Sequence, residues 1–261
     1  MIQTGYLIEL DNDKRSVWEK LAKSLAAVMT YAANTERPKV IDPRIWHRQE
    51  VQKRSDCQGF SSSSVGEAAY TNATGQVTQF SPHFSYRVSQ EIDGIKGDKG
   101  STISGGYEAA NRFGLCPLVD CPYPTSYSSA ITPAMKAKAL SYRIGSFAVC
   151  KTYTEVMACL IGGMGVNVGL GWSFSGPSQF VLTSLSGNGP GHATGWLGHS
   201  ERLDKLGRPY IWCANSGFPI PGWYEISPDA VSKALDHKYT VALAMSRLSH
   251  PEPEPILYSP L

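Results

Sequence analysis

From Cys57 to about Tyr70 the chain runs without a proline through Gln58-Gly59-Phe60-Ser61-Ser62-Ser63-Ser64-Val65-Gly66-Glu67-Ala68-Ala69. Small side chains dominate this stretch, and Phe60, Val65 and Ala68 or Ala69 recur at helical spacing. A helix with so little bulk can be approached closely from several sides. The spacing therefore predicts a buried central helix around which the rest of the chain is arranged. Its first turn carries Cys57, where a sulfur lies near unpaired backbone N–H groups and the positive end of the helix dipole. Both favour thiolate over thiol.

A free thiol is only a few per cent ionised at neutral pH, so a cysteine that does chemistry needs a base. Among the six histidines, His192 is the best placed, because Gly189-Pro190-Gly191-His192-Ala193-Thr194-Gly195 leaves its imidazole accessible at the start of a strand. His47, His83, His199, His237 and His250 read as surface or packing positions. Asn215, at the exit of Ile211-Trp212-Cys213-Ala214-Asn215-Ser216-Gly217, can hold the tautomer and plane of an imidazole. Its separation of 23 from His192 allows a strand, a turn and a return strand. The order Cys, His, Asn, with a wide gap after the cysteine, suits two halves that each form one side of a cleft. Singly, each residue is a weak signal: a cysteine near serines is usually packing, and Gly-His or Asn-Ser-Gly is usually a turn or loop.

The 261 residues suffice for one large domain or two small lobes. Only 18% are charged, the net charge is +2 and no basic block is present, which argues against nucleic acid as a partner. The N-terminus lacks the basic and apolar sections of a secretion signal, and no apolar run reaches membrane-spanning length. A soluble, cytoplasmic protein without a membrane partner is expected. The six cysteines are too few for a disulfide scaffold and lack paired metal knuckles, so no metal or other cofactor is expected. Cys116 and Cys121 flank a turn and would bridge only in an oxidising compartment.

Residues 1–38 read as a helical extension. Ser16-Val17-Trp18-Glu19 has the form of a capping box, with Trp18, Leu21, Leu25 and Val28 on one face. An outer packed helix and an inhibitory pro-segment are the two readings. Residues 39–145 read as a helical lobe: extended chain around Pro38 to Trp46, the Cys57 helix, a helix started by Ser81-Pro82 with Phe84, Val88 and Ile92, and another after Gly105-Gly106 that stops at Gly114. Residues 146–261 read as β-rich. A capped helix opens at Thr152-Tyr153-Thr154-Glu155. Strands are then expected at Val166 to Trp172, Ala193 to Leu197, Tyr210 to Ala214, Trp223 to Ile226 and Tyr239 to Met245.

With these segments in place, the chain resembles the papain-like (C1) cysteine peptidase family, particularly its bacterial and phage-type members, from about Ile41 to Ile226. Asp42-Pro43-Arg44 is similar to the family's Asp-x-Arg, Cys57-x-x-Phe60-Ser61 to its Cys-Trp-Ala-Phe-Ser/Ala, and Ser104-Gly105-Gly106-Tyr107 to its Asn-Gly-Gly-Tyr. Phe80-Ser81-Pro82-His83-Phe84 resembles Leu-Ser-x-Gln-x-Leu. Gly191-His192-Ala193, Asn215-Ser216 and Gly222-Trp223-Tyr224-Glu225-Ile226 resemble Gly-His-Ala, Asn-Ser-Trp-Gly and Gly-Tyr-Phe-x-Ile.

The resemblance implies an α+β papain-like fold of two lobes, helical and antiparallel β-barrel-like, and hydrolysis of peptide or isopeptide bonds in a polypeptide substrate. Cys57 would be the nucleophile, His192 its base and Asn215 the orienter, with Gln52 as the oxyanion donor. Gly105, Gly106 and Gly191 would offer backbone to substrate. A thiol acyltransferase, and a non-enzymatic module of a phage or toxin assembly, are the alternatives; a phage protein would be virion-associated. Three positions depart from the family: Gln58 stands where a tryptophan is usual, Gly217-Phe218 replaces the tryptophan that shields the His–Asn contact, and Gln52 precedes Cys57 by five residues instead of six. Phe218, Trp196 and Trp223 are the aromatic residues available as replacement cover.

Overall fold

A computed structural model describes residues 42–178, 180–217 and 220–247. The helix expected around Ser16 to Val28, and with it the extension 1–38, lies outside them. Asp42 caps a single 3-10 turn, Pro43–Ile45, by accepting from the Arg44 N–H at 3.0 Å. The extended chain expected around these prolines is thus interrupted by a turn before it runs on toward Cys57.

Helix α1, Cys57–Thr74, is buried on all sides from Cys57 to Ala69. Gly59 explains how closely its neighbour packs: a Cβ there would strike the Pro82 carbonyl oxygen and stand 2.7 Å from the Cβ of Tyr86. Both belong to α2, Pro82–Asp93, which starts as the Ser-Pro signal predicts. The Ser81 hydroxyl accepts from the Phe84 N–H at 3.1 Å, and Gly94, at φ +71°, ends the helix.

Helix α3, Ile103–Arg112, begins earlier than its glycines suggest. Thr102 caps it by accepting from the Gly105 N–H at 2.8 Å, and Asp93 accepts from the Thr102 N–H and hydroxyl at 2.9 Å each. Gly105 and Gly106 therefore lie in its first turn instead of ahead of it. A short helix, α4, spans Pro133–Ala139. The capping box at Thr152 and Glu155 forms in full and opens α5, Tyr153–Ile161.

Among the described residues eight strands form one sheet: β1 Ile144–Val149, β2 Gly165–Ser175, β3 Val181–Leu182, β4 Ser184–Gly187, β5 Gly191–Leu203, β6 Pro209–Asn215, β7 Gly222–Ile226 and β8 Val241–Arg247. Their order is β1-β8-β2-β5-β6-β7-β3, with β4 joined to β2, and every pairing is antiparallel except β3 with β7. Strand β1 and helix α6, Pro228–Leu235, go unmarked in the sequence reading, although α6 starts with the same Ser-Pro signal as α2.

The alternation of strand side chains separates two cores. Val166, Val168, Leu170 and Trp172 of β2 join Trp196, Ile211 and Cys213 in a core closed by Val156 and Leu160 of α5 and Val231 of α6. Ala193, Leu197, Leu243 and Met245 turn the other way and pack with Cys57, Val65 and Ala68 of α1 and with Ile103 and Tyr107 of α3. Asn167 of β2 lies on this second face, where it accepts from the Ser61 hydroxyl at 2.5 Å and donates to that of Ser62 at 2.9 Å. The serine run thus hydrogen-bonds the helix to the sheet. The antiparallel-dominant sheet with its helices is the α+β architecture expected above.

Candidate active site

Cys57 is the first residue of α1 and is fully buried. It packs in the same cluster as Ala193 and Ala214, which adjoin His192 and Asn215 in the chain. The backbone N–H groups of Ala193, Gln58 and Cys57 favour the thiolate. Burial outweighs them, and with the adjacent Asp56 charge it pushes the thiol up to about 12.

His192 and Asn215 meet across adjacent strands. Gly195 of β5 pairs with Ala214 of β6, so continuing that register puts Asn215 opposite Thr194, two residues from His192 and on the same face. His192 Nε2 lies 2.6 Å from Asn215 Oδ1. The amide cannot be turned round, because its Nδ2 donates to the carbonyls of Ile220 at 2.9 Å and Gly217 at 3.3 Å. Since Oδ1 only accepts, the proton of neutral His192 sits on Nε2 and the lone pair on Nδ1. Nδ1 is buried with no hydrogen-bond partner among the described residues. Burial holds the imidazole down at about 4, only partly offset by the Asn215 bond. Burial therefore disfavours the charged form of both the thiol and the imidazole.

The aromatic cover comes from a residue the sequence reading passes over. Trp172 meets the His192 ring edge-on, with centroids 5.5 Å apart. Trp196 belongs to the core beneath, Trp223 packs on Trp212 and His47, and Phe218 lies outside the described residues. Nothing local marks Trp172, which reads only as one more residue of a β-prone run. Its role depends on the β2–β5 register, which places Leu170 opposite His192.

Gln52 is anchored at both ends. Its N–H donates to the Ser216 carbonyl at 2.8 Å, its Oε1 accepts from the Ser216 hydroxyl at 3.0 Å, and its Nε2 donates to the Arg54 carbonyl at 2.9 Å. One N–H of Nε2 remains for a ligand. Gln49 donates to the Asn215 carbonyl at 2.7 Å, so the stretch 49–52 straps the loop before Cys57 to the Asn215 strand end. His47, buried and bonded to Glu67 at 2.5 Å, anchors the start of this stretch.

The glycine expectation needs correction. Gly105 and Gly106 are buried inside α3 and their N–H groups bond to Thr102, so they present no open backbone. Their lack of a side chain serves packing: a Cβ on Gly105 would meet the Asp93 carboxylate, and one on Gly106 the Gln58 amide. Gly97, exposed and at φ +83°, lies in the loop ahead of α3. Its neighbour Asp98 accepts from the Ser55 N–H at 3.2 Å. Gly191 is half-buried and pairs with Gly171 in the β2–β5 ladder.

None of the six cysteines is in a disulfide, and all are buried. Cys150 and Cys159 stand with sulfurs 3.6 Å apart, and the Cys116 thiol holds Cys121 down at about 7. Among the described residues no group of three or more His, Cys, Asp or Glu side chains is arranged to hold a metal ion, and no helix is long and apolar enough to cross a membrane.

No model of a known protein family matches the sequence, and no curated protein matches it. Solved structures do. The fold is similar to xylellain, a cysteine protease from Xylella fastidiosa, at 16% identity over 85% of this chain and 89% of that one, with a TM-score of 0.66. It is similar to the proform of the ragweed pollen allergen Amb a 11, a cysteine protease, at 18% identity over 91% of this chain and 76% of that one, with a TM-score of 0.64. Bromelain from Ananas comosus, solved with the E64 inhibitor, matches at 17% identity over 80% of this chain and 99% of that one, with a TM-score of 0.55. The chain therefore has the papain-like cysteine protease fold.

Proposed function

We propose that the protein is a cysteine peptidase whose nucleophile is Cys57, whose base is His192 and whose orienting residue is Asn215. The observation that carries this reading is the His192 imidazole: Nε2 is fixed by Asn215, and Nδ1 is left without a partner on a ring one residue from the N–H that acts on the Cys57 thiol. The thiol proton passes to Nδ1 as sulfur attacks the peptide carbonyl. The imidazolium then protonates the leaving amine, and water resolves the thioester. The Cys57 N–H and the spare N–H of Gln52 stabilise the oxyanion. Isopeptide bonds fall within the same chemistry.

Because burial keeps both partners neutral, the thiolate–imidazolium pair forms only when substrate or water enters the site. The full burial of Cys57, His192 and Asn215 also favours a second reading, a closed binding module with no turnover. Labelling with the epoxide E64, followed by mass spectrometry, tests the choice. The peptidase reading expects one adduct, on Cys57, that is lost in His192→Ala. No adduct, or equal labelling of the variant, would reject it.

A further inference from the structure

The residue before the nucleophile is unusual in its surroundings. Asp56 is fully buried at the N-cap position of α1, yet its side chain makes no capping bond. One carboxylate oxygen accepts from the Tyr123 hydroxyl at 2.7 Å and lies 3.6 Å from Arg54 Nε. The other oxygen, and Nη1 of Arg54, are both buried with no partner among the described residues. Arg54 is divided between tasks: its Nη2 donates to the Pro124 carbonyl at 2.5 Å and its guanidinium stacks on Tyr123 at 4.8 Å. A bidentate fork that would neutralise Asp56 is not formed.

The other charges nearby add to the negative field. Asp98, held by the Ser55 N–H and by the Tyr86 hydroxyl at 2.9 Å, and Glu50 both act on the same region. Arg54 is the cation set against Asp56, with Tyr123 and Tyr86 as the phenols facing the cluster.

We propose that Asp56 is an electrostatic brake on the nucleophile, its buried and incompletely paired charge opposing a thiolate at Cys57. The inference rests on Cys57 being the nucleophile and adds a positioning role for its neighbour, which touches no substrate. Two features of the thiol and carboxyl agree with it. Burial is the main cause that raises Cys57 and the Asp56 charge adds to it; burial lifts Asp56 itself only to about 6, so Asp56 carries its charge at neutral pH and above, where a thiolate would form.

The test is the pH profile of Cys57 alkylation by iodoacetamide in the full chain, followed on the Cys57 peptide by mass spectrometry. The midpoint is compared because it reads the thiolate and not the opening of the site. Asp56→Asn keeps the shape and the Tyr123 contact but removes the charge. Its midpoint is expected about one pH unit below that of the wild type, equivalent to about tenfold faster labelling on the rising limb. A midpoint equal to the wild type would overturn the brake.

His192→Ala separates this from the peptidase reading. If His192→Ala changes the profile while Asp56→Asn does not, the brake fails and the triad stands; if His192→Ala changes nothing, the triad fails. Should Asp56→Asn lose its native near-UV circular dichroism, Tyr123→Phe decides. Removing that hydrogen bond makes Asp56 hold its proton to higher pH, so labelling between pH 6 and 7 is expected to rise, and an unchanged rate there would also overturn the proposal.

Discussion

At the scale of single residues, the chemistry turns on which atoms are already committed. Asn215 uses Oδ1 for His192 and Nδ2 for two carbonyls, so the imidazole is held by an amide that is itself held. Asn215→Ala leaves a buried Nε2–H without an acceptor and frees the ring to rotate. A fall in kcat of roughly 10- to 100-fold is expected, a part of the roughly 10²–10⁴-fold that general-base catalysis contributes, with KM for a fluorogenic peptide nearly unchanged. Gln52 behaves differently, since its amide oxygen is tied to Ser216 and only one N–H is spare. Gln52→Ala is expected to lower kcat about 100-fold, as loss of an oxyanion donor does, while E64 still labels Cys57. Unchanged kcat in Gln52→Ala would remove that residue from the oxyanion site.

At the scale of elements, close approach between helices is what positions Cys57. Gly59 brings α2 against α1 two residues after Cys57, and a methyl there meets backbone at Pro82. Gly59→Ala should cost about 1–3 kcal/mol, measured as a fall in the urea midpoint, because backbone cannot yield as a side chain would. Thr152→Ala, which breaks the α5 capping box on the far core, should cost about 1 kcal/mol and leave kcat unchanged.

These elements also show where the sequence is legible. Ser81-Pro82, Thr152-x-x-Glu155 and the small-residue run from Cys57 announce helices through interactions within a few residues, and each helix forms where they say. Strands β2 and β5 to β8 are legible from β-prone runs between turns. The glycines at 105 and 106 mislead for the opposite reason: their meaning depends on Asp93 and Gln58, which only the packing of three helices brings near. Trp172 is silent on the same grounds, its place over His192 being a matter of register. Strand β1 alternates weakly, with Gly145 and Ser146 in its centre, and is held as a strand by pairing with β8.

At the scale of the whole molecule, buried ionisable groups pull stability in opposite directions with pH. His83 and His192 are held down at about 4 by burial, so the unfolded chain binds more protons and stability is lost as pH falls from about 6.5 to about 4. Glu50 and Asp56 are raised by burial, to about 7 and about 6, with Glu67 adding to the rise at Glu50. For them the folded chain binds more protons, and stability is lost as pH rises, from 4.5 through about 7 for Glu50 and from 3.8 through about 6 for Asp56. The two trends oppose each other between pH 4.5 and 6, which flattens the profile. Above pH 7 only the carboxylate cost remains, and Glu50 accounts for a share on the order of 2 kcal/mol after screening by the solvent that reaches it. Glu50→Gln removes that share. Its Tm is expected to exceed that of the wild type by about 4 °C or more at pH 8, and to match it at pH 4, where the side chain is uncharged in both folded and unfolded chains. Calorimetry at the two pH values checks this: an equal gain at both would assign the effect to packing in the cavity lined by His47, Glu50, Ser61 and Ser64, and no gain at pH 8 would mean that the Glu50 charge is already compensated.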